Sequence, residues 1–146
     1  MLNELRDECH KNAVDHGFWE VVGDDGVVIK DGEEKNTFPK CMALVVSEIG
    51  EAIEADRKKN WLKDKDMDLR LGETRDTLAE FVESSTIEER INFTKRILKG
   101  NVEEEIADVI IRILDLAGHY NIDLDSIVRL KMDYNASRPY KHNKEY

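Results

Sequence analysis

Two long stretches of this chain carry apolar residues at steps of three and four, which is the spacing of one face of an α-helix. The apolar positions of the first stretch, from Pro39 to about Lys59, are Met42, Val45, Val46, Ile49, Ala52 and Ile53. Those of the second, which follows Asn101, are Ile106, Val109, Ile110, Ile113, Leu114 and Ala117. Only two prolines, Pro39 and Pro139, occur in the 146 residues, so long helices are permitted along nearly the whole chain.

Shorter signals complete an all-α prediction. Further helices are predicted over 2–16, 86–99 and 124–136, with a small hairpin around Gly23–Gly26. The polar, mixed-charge segment 60–85 is interpreted as a loop or a loosely packed insertion. We therefore expect residues 1–146 to form a single domain, an antiparallel helical bundle. An insertion with one extra helix would occupy 60–100, between the two long helices.

The charge of the chain is acidic overall and unevenly distributed. The net charge is −10, yet residues 129–146 hold five basic and two acidic side chains. An acidic surface repels a nucleic-acid backbone, so binding to nucleic acids is not expected. No apolar run reaches the roughly 18 residues of a membrane span, and the charged N-terminus does not resemble a secretory signal. A cytoplasmic protein with a basic tail over 137–146 is the expectation, and Cys9 and Cys41 receive no role.

Each of the two long helices carries a pair of acids three residues apart. Glu48 and Glu51 lie in the first helix, and Glu105 and Asp108 in the second. Side chains at this spacing lie on one face of a helix, where like charges repel each other. A single pair in an acidic protein is most simply a solvated helix face. Two pairs beside apolar stripes instead favour a site for a hard divalent cation such as magnesium, calcium or manganese.

Other catalytic centres lack their residues in this sequence. A di-iron bundle needs Glu-x-x-His on two helices, and none of the four histidines follows a glutamate at that spacing. The Cys and His spacing of a zinc deaminase and the glycine-rich phosphate loops are also absent. His119 is interpreted as a helix-end residue rather than a ligand.

The basic C-terminal segment offers donors for phosphate oxygens: Lys131, Asn135, Arg138 and Lys141. Aromatic side chains that could stack on a nucleobase occur in two places. Trp19 with its neighbours Phe18 and His16 forms the first, and Trp61 in the polar segment forms the second. Trp19 is equally well explained as a packing residue that closes the bundle.

Taken in order, these motifs resemble the MazG-like nucleoside triphosphate pyrophosphohydrolases of the all-α NTP pyrophosphatase superfamily. The family pattern E-x-x-E followed by E-x-x-D is similar to Glu48-Ile-Gly-Glu51 and Glu105-Ile-Ala-Asp108. The stretch HGFWE and the ending K-x-x-x-N-x-x-R-P-Y-K-H resemble small stand-alone members. The 53 residues between the two acid motifs exceed the usual family spacing, which bears on substrate preference.

The resemblance implies a magnesium-dependent enzyme, with Mn²⁺ as a substitute, that hydrolyses an NTP or dNTP to the monophosphate and pyrophosphate. Glu48, Glu51, Glu105 and Asp108 would then be both metal ligands and catalytic residues. Glu51 is our hypothesis for the acid most directly concerned with the attacking water, although the sequence does not distinguish the four. The resemblance also implies a homodimer or homotetramer. The alternative is a non-catalytic helical oligomer that binds a nucleotide or a protein partner.

Overall fold

The computed structural model describes residues 1–29, 31–32, 37–62 and 78–139. These residues are 71% helical, with six α-helices and a two-stranded sheet. The helices are α1 (Leu2–Asp15), α2 (Phe38–Arg57), α3 (Leu78–Ser84), α4 (Ile87–Phe93), α5 (Val102–His119) and α6 (Leu124–Ala136). A π-helical segment, Thr94–Leu98, extends α4. The strands are β1 (Val21–Val22) and β2 (Val28–Ile29), paired antiparallel with Val21 opposite Ile29.

The chain divides into two compact units. The first, here called the terminal unit, comprises Met1–Cys41 and Ile111–Tyr146. Its core centres on Trp19, which is 1% exposed and packs with Ala13 and Leu116. Helix α1 ends at Asp15, and two residues later Gly17 adopts a left-handed conformation with φ +77°, so the chain can turn sharply into the Trp19 segment.

The second unit, here called the middle unit, comprises Met42–Ile110. It holds most of α2, the first half of α5 and the elements between them. Phe81 on α3 and Phe93 on α4 form a small core, with ring centroids 4.9 Å apart. A capping box begins α4, since Thr86 Oγ1 accepts from the Glu89 amide and Glu89 Oε2 accepts from the Thr86 amide.

The mostly helical class and the helix over 124–136 are confirmed, as is the hairpin near Gly23–Gly26. The interpretation of 60–85 as loop is wrong at its C-terminal end, where α3 covers Leu78–Ser84. Burial of Phe81 against Phe93 stabilises this short helix, although its polar surroundings give no long apolar stripe. The rest of that segment, 63–77, lies outside the described residues.

Among the helices of the described residues, none combines the length and apolar character needed to span a membrane.

Candidate metal centre

Three of the predicted acids come together in the middle unit. Glu48 and Glu51 on α2 and Glu105 on α5 each offer a carboxylate oxygen, and the three atoms lie within 4.8 Å of one another. Glu48 and Glu105 are each only 7% exposed, whereas Glu51 is exposed. We call these three residues the acidic cluster. Two of its carboxylates are therefore withdrawn from the water that would normally stabilise their charge.

The electrostatics of the acidic cluster favour a cation. Burial raises the pKa of Glu105, and the nearby charges of Glu51, Glu104, Asp108 and Glu48 raise it further. A group composed of carboxylates alone suits a hard cation such as Mg²⁺, which prefers oxygen ligands. The residues present thus fit a divalent cation, and such an ion would offset the repulsion among the acids.

Asp108, the fourth predicted ligand, is half-buried and does not belong to the group within 4.8 Å. The negative charge of Asp108 still acts on the cluster, since it is one of the charges that raise the pKa of Glu105. Lys99 also lies in this electrostatic environment, with its Nζ atom 3.3 Å from Glu104 Oε1. That pairing is the main reason why the pKa of Lys99 is raised.

The start of α5 is fixed by several hydrogen bonds, and this positions Glu105 in the first turn. The buried Asn101 side chain accepts from the Glu104 amide at 3.1 Å, as expected of an N-cap. Glu103 accepts from the Leu62 amide at 3.0 Å, and Val102 donates to the Asn60 carbonyl at 3.0 Å. The bonds of Glu103 and Val102 connect the start of α5 to the segment that follows α2. The two helices that carry the acids are thus linked near the acidic cluster.

The two helices that carry the acidic cluster, α2 and α5, also form an apolar groove of about 320 Å³. It is lined by Ile49, Ala52, Ile53, Asp56, Ile106, Val109 and Ile110. Trp61 lies at this part of the unit, because its Nε1 donates to Asp56 Oδ1 at 3.0 Å. Trp61 is 47% exposed and thus accessible to a ligand.

The other base-binding candidates lie in the terminal unit. Trp19 is buried, its ring stacks on His119 at 4.0 Å, and its Nε1 donates to Asp115 Oδ1. This environment favours the packing interpretation of Trp19 over base stacking, because neither its edge nor its stacked face is open to a ligand. Phe18 is 67% exposed, and the exposed His16 ring contacts the Asn12 carbonyl oxygen.

The predicted phosphate donors also lie in the terminal unit, on α6 and just after it. Lys131 Nζ lies 4.7 Å from the centroid of the Tyr134 ring, and Arg138 Cζ lies 5.8 Å from it. Both cations thus flank one exposed aromatic ring, while Asn135 is exposed on the same helix. Lys141 lies outside the described residues.

A second cluster, which no sequence pattern predicts, is formed by His10, Asp31 and His119. These residues come from α1, from the segment after the hairpin and from the last position of α5. No spacing motif connects them, because Asp31 is 21 positions after His10 and His119 is 88 positions after Asp31.

Comparisons with protein-family profiles, curated proteins and solved structures gave no significant match.

Proposed function

We propose that this chain is a magnesium-dependent nucleoside triphosphate pyrophosphohydrolase that converts an NTP or dNTP to the monophosphate and pyrophosphate. The observation that carries the proposal is the convergence of Glu48, Glu51 and Glu105 from two helices, with two of the three carboxylates buried. Carboxylates pointing into solvent would account for solubility alone. A divalent cation would offset the repulsion among carboxylates whose oxygens lie within 4.8 Å of one another.

In this proposal Glu48, Glu51 and Glu105 hold Mg²⁺, and Asp108 adds negative charge beside them. When bound, Mg²⁺ would neutralise charge on the phosphate oxygens and lower the pKa of the attacking water. Glu51 is the member of the cluster that solvent reaches, so it is the acid best suited to accept a proton from that water.

The candidates for substrate binding are residues that complement the phosphate groups or the base of a nucleotide. The assignment of Lys131, Asn135, Arg138 and Lys141 as donors to the phosphate oxygens stays a prediction from the sequence, because these residues belong to the terminal unit and the acidic cluster to the middle unit. Of the aromatic candidates, Trp61 has the strongest structural support for stacking on the base, because its ring is exposed and joined to Asp56 of the apolar groove. Phe18 and His16 remain candidates of the terminal unit.

Pyrophosphate release from a panel of NTPs and dNTPs tests the proposal. Release is expected with Mg²⁺ or Mn²⁺ and is expected to stop when the cation is chelated. Glu51→Gln should lower kcat by about 10²–10⁴-fold, the range for losing a positioned proton acceptor. Glu54→Gln is the matched control, since Glu54 lies three residues along the same helix and pairs with Lys58 instead.

A different result would support the non-catalytic alternative. The exposed apolar side chains of α2 and α5 are compatible with a scaffold that binds a partner. A scaffold would release no pyrophosphate from any nucleotide, and its melting temperature would not respond to Mg²⁺. Equal activity of Glu51→Gln and Glu54→Gln would also contradict the assignment of the acidic cluster.

A further inference from the structure

The terminal unit brings two imidazoles and one carboxylate together. His10 Nε2 lies 3.3 Å from Asp31 Oδ2, and His119 Nδ1 lies 2.8 Å from Asp31 Oδ1. One ligand atom of each residue lies within 4.8 Å of the other two. In a tetrahedral zinc site with bonds of about 2.0 Å, neighbouring ligand atoms are roughly 3.3 Å apart. The three side chains are thus already near the spacing that such an ion requires.

Contacts with Asp115 and Trp19 hold the two imidazole rings in place. His10 Nδ1 lies 2.8 Å from Asp115 Oδ1, the same oxygen that accepts from Trp19 Nε1. The His119 ring stacks on Trp19 with an interplanar angle of 11°. A carboxylate that orients the far nitrogen of a ligating histidine is a recurrent feature of metal sites, because it fixes the ring and raises its basicity.

The backbone also approaches closely at this point. A Cβ atom at Gly118 would overlap the His10 side chain, so glycine allows α1 and α5 to bring His10 and His119 together. Both histidine side chains are largely buried, at 14% and 11% exposure, whereas Asp31 is 51% exposed. The cluster therefore has a rigid inner side, and solvent reaches it through Asp31.

We propose that His10, Asp31 and His119 bind a divalent transition metal of the zinc class, with Asp115 as the positioning residue for His10. Two imidazole nitrogens and one carboxylate oxygen suit zinc, whereas Mg²⁺ prefers oxygen ligands alone. The site is thus chemically distinct from the acidic cluster. In the metal-free chain the imidazole nitrogens lie at hydrogen-bond distance from the Asp31 oxygens, and a bound metal would replace these contacts. Binding would connect α1, α5 and the segment after the hairpin.

The test is a zinc titration of the full chain after chelation, in the presence of excess Mg²⁺ so that hard-cation sites are occupied. NMR signals of the His10 and His119 rings are expected to shift, while those of the exposed His16 ring stay unchanged. Asp31→Asn should weaken zinc affinity by about tenfold or more. Asp24→Asn, another exposed aspartate of the terminal unit, is the matched control and should bind zinc normally.

Two results would overturn the proposal. Zinc could leave the His10 and His119 signals unmoved, as it would if it bound at the cysteines, or Asp31→Asn could bind zinc as tightly as Asp24→Asn. The NMR readout uses the unaltered chain, so it stands even if a variant folds poorly. Neither measurement depends on nucleotide hydrolysis, and each therefore remains decisive if the proposed enzymatic function fails.

Discussion

Glu105 illustrates how a tertiary environment changes the properties of a single acid. It follows Glu103 and Glu104 in the sequence, yet Glu105 is buried while its two neighbours are half-buried and bond to the amides of Leu62 and Gly100. Burial is the main cause of its raised pKa, and the charges around it add to the effect. The spacing of the acids predicted which residues share a helix face, but it could not predict which of them are buried.

This pKa shift predicts how stability depends on pH when divalent ions are chelated. Because the folded protein holds the Glu105 proton more tightly than the unfolded chain, the free energy of unfolding should fall as the pH rises above the ordinary value of 4.5. Glu105→Gln cannot ionise, so at neutral pH it should unfold at a higher temperature than the unaltered chain. Thermal melts between pH 4 and pH 8 with a chelator measure the difference, and Glu54→Gln is the control. An unchanged melting temperature of Glu105→Gln at pH 7 would contradict the electrostatic picture of the cluster.

The cluster of His10, Asp31 and His119 could not be predicted from the sequence at all. His119 was interpreted as a helix-end residue, and it is indeed the last residue of α5. Its ring also meets Asp31 and stacks on Trp19, which no local signal indicates. Contacts across 88 residues depend on how the elements pack, so they could not be predicted from spacing.

At the scale of elements, local signals located most helix ends. The helix predicted over 124–136 has Asp123 as its N-cap, and the Asp123 side chain accepts from the Ser126 amide at 3.2 Å. The Asn3 side chain also donates to Asp123, at 2.8 Å, which connects α1 to the start of α6. Capping is readable in a sequence because it involves residues only three positions apart. The contact with Asn3 spans 120 residues and is visible only in the structure.

The hydrogen bond from Asn3, together with the bonds from Ser126, lowers the pKa of Asp123 from 3.8 to about 2. A carboxylate with a lowered pKa stabilises the folded state above pH 3.8, and this stabilisation is lost as the pH falls from 3.8 through about 2. Asp123→Asn retains a capping side chain without a titrating group, so its loss of stability in this acid range should be smaller. Urea unfolding at several pH values between 2 and 5 compares the two proteins. Parallel acid profiles would show that Asp123 does not contribute in this way.

At the scale of the whole molecule, exposed apolar side chains suggest that the chain associates with itself. The groove residues Ile49, Ile53, Ile106 and Ile110 are each 43–49% exposed. Ile113, farther along α5, is 41% exposed. All five side chains lie on the apolar stripes of their helices. These side chains are already about half-buried, so covering one completely contributes about 1 kcal/mol, and a partner that covers several would gain a few kcal/mol. A second copy of the chain is the partner that the family resemblance implies.

We therefore expect a homodimer or homotetramer at micromolar concentrations. Ile53→Glu should shift the mass measured by light scattering toward the monomer, because it places a charge in the apolar groove. Ile87→Glu is the matched control, since Ile87 on α4 is 69% exposed and does not line the groove. A monomeric mass for the unaltered chain would contradict this expectation, as would equal masses for the two variants.

The helical class, most helix positions, the hairpin and the acid pairs were all determined by the sequence, because each depends on residues within one or two turns of one another. The short helix α3 was missed, since its stability depends on Phe81 meeting Phe93. Only the tertiary structure decided that Trp19 is buried and that Glu48 and Glu105 are both buried. It alone also joined His10, Asp31 and His119. Burial and long-range contacts depend on the packing of distant segments, and that information is not present in any local spacing.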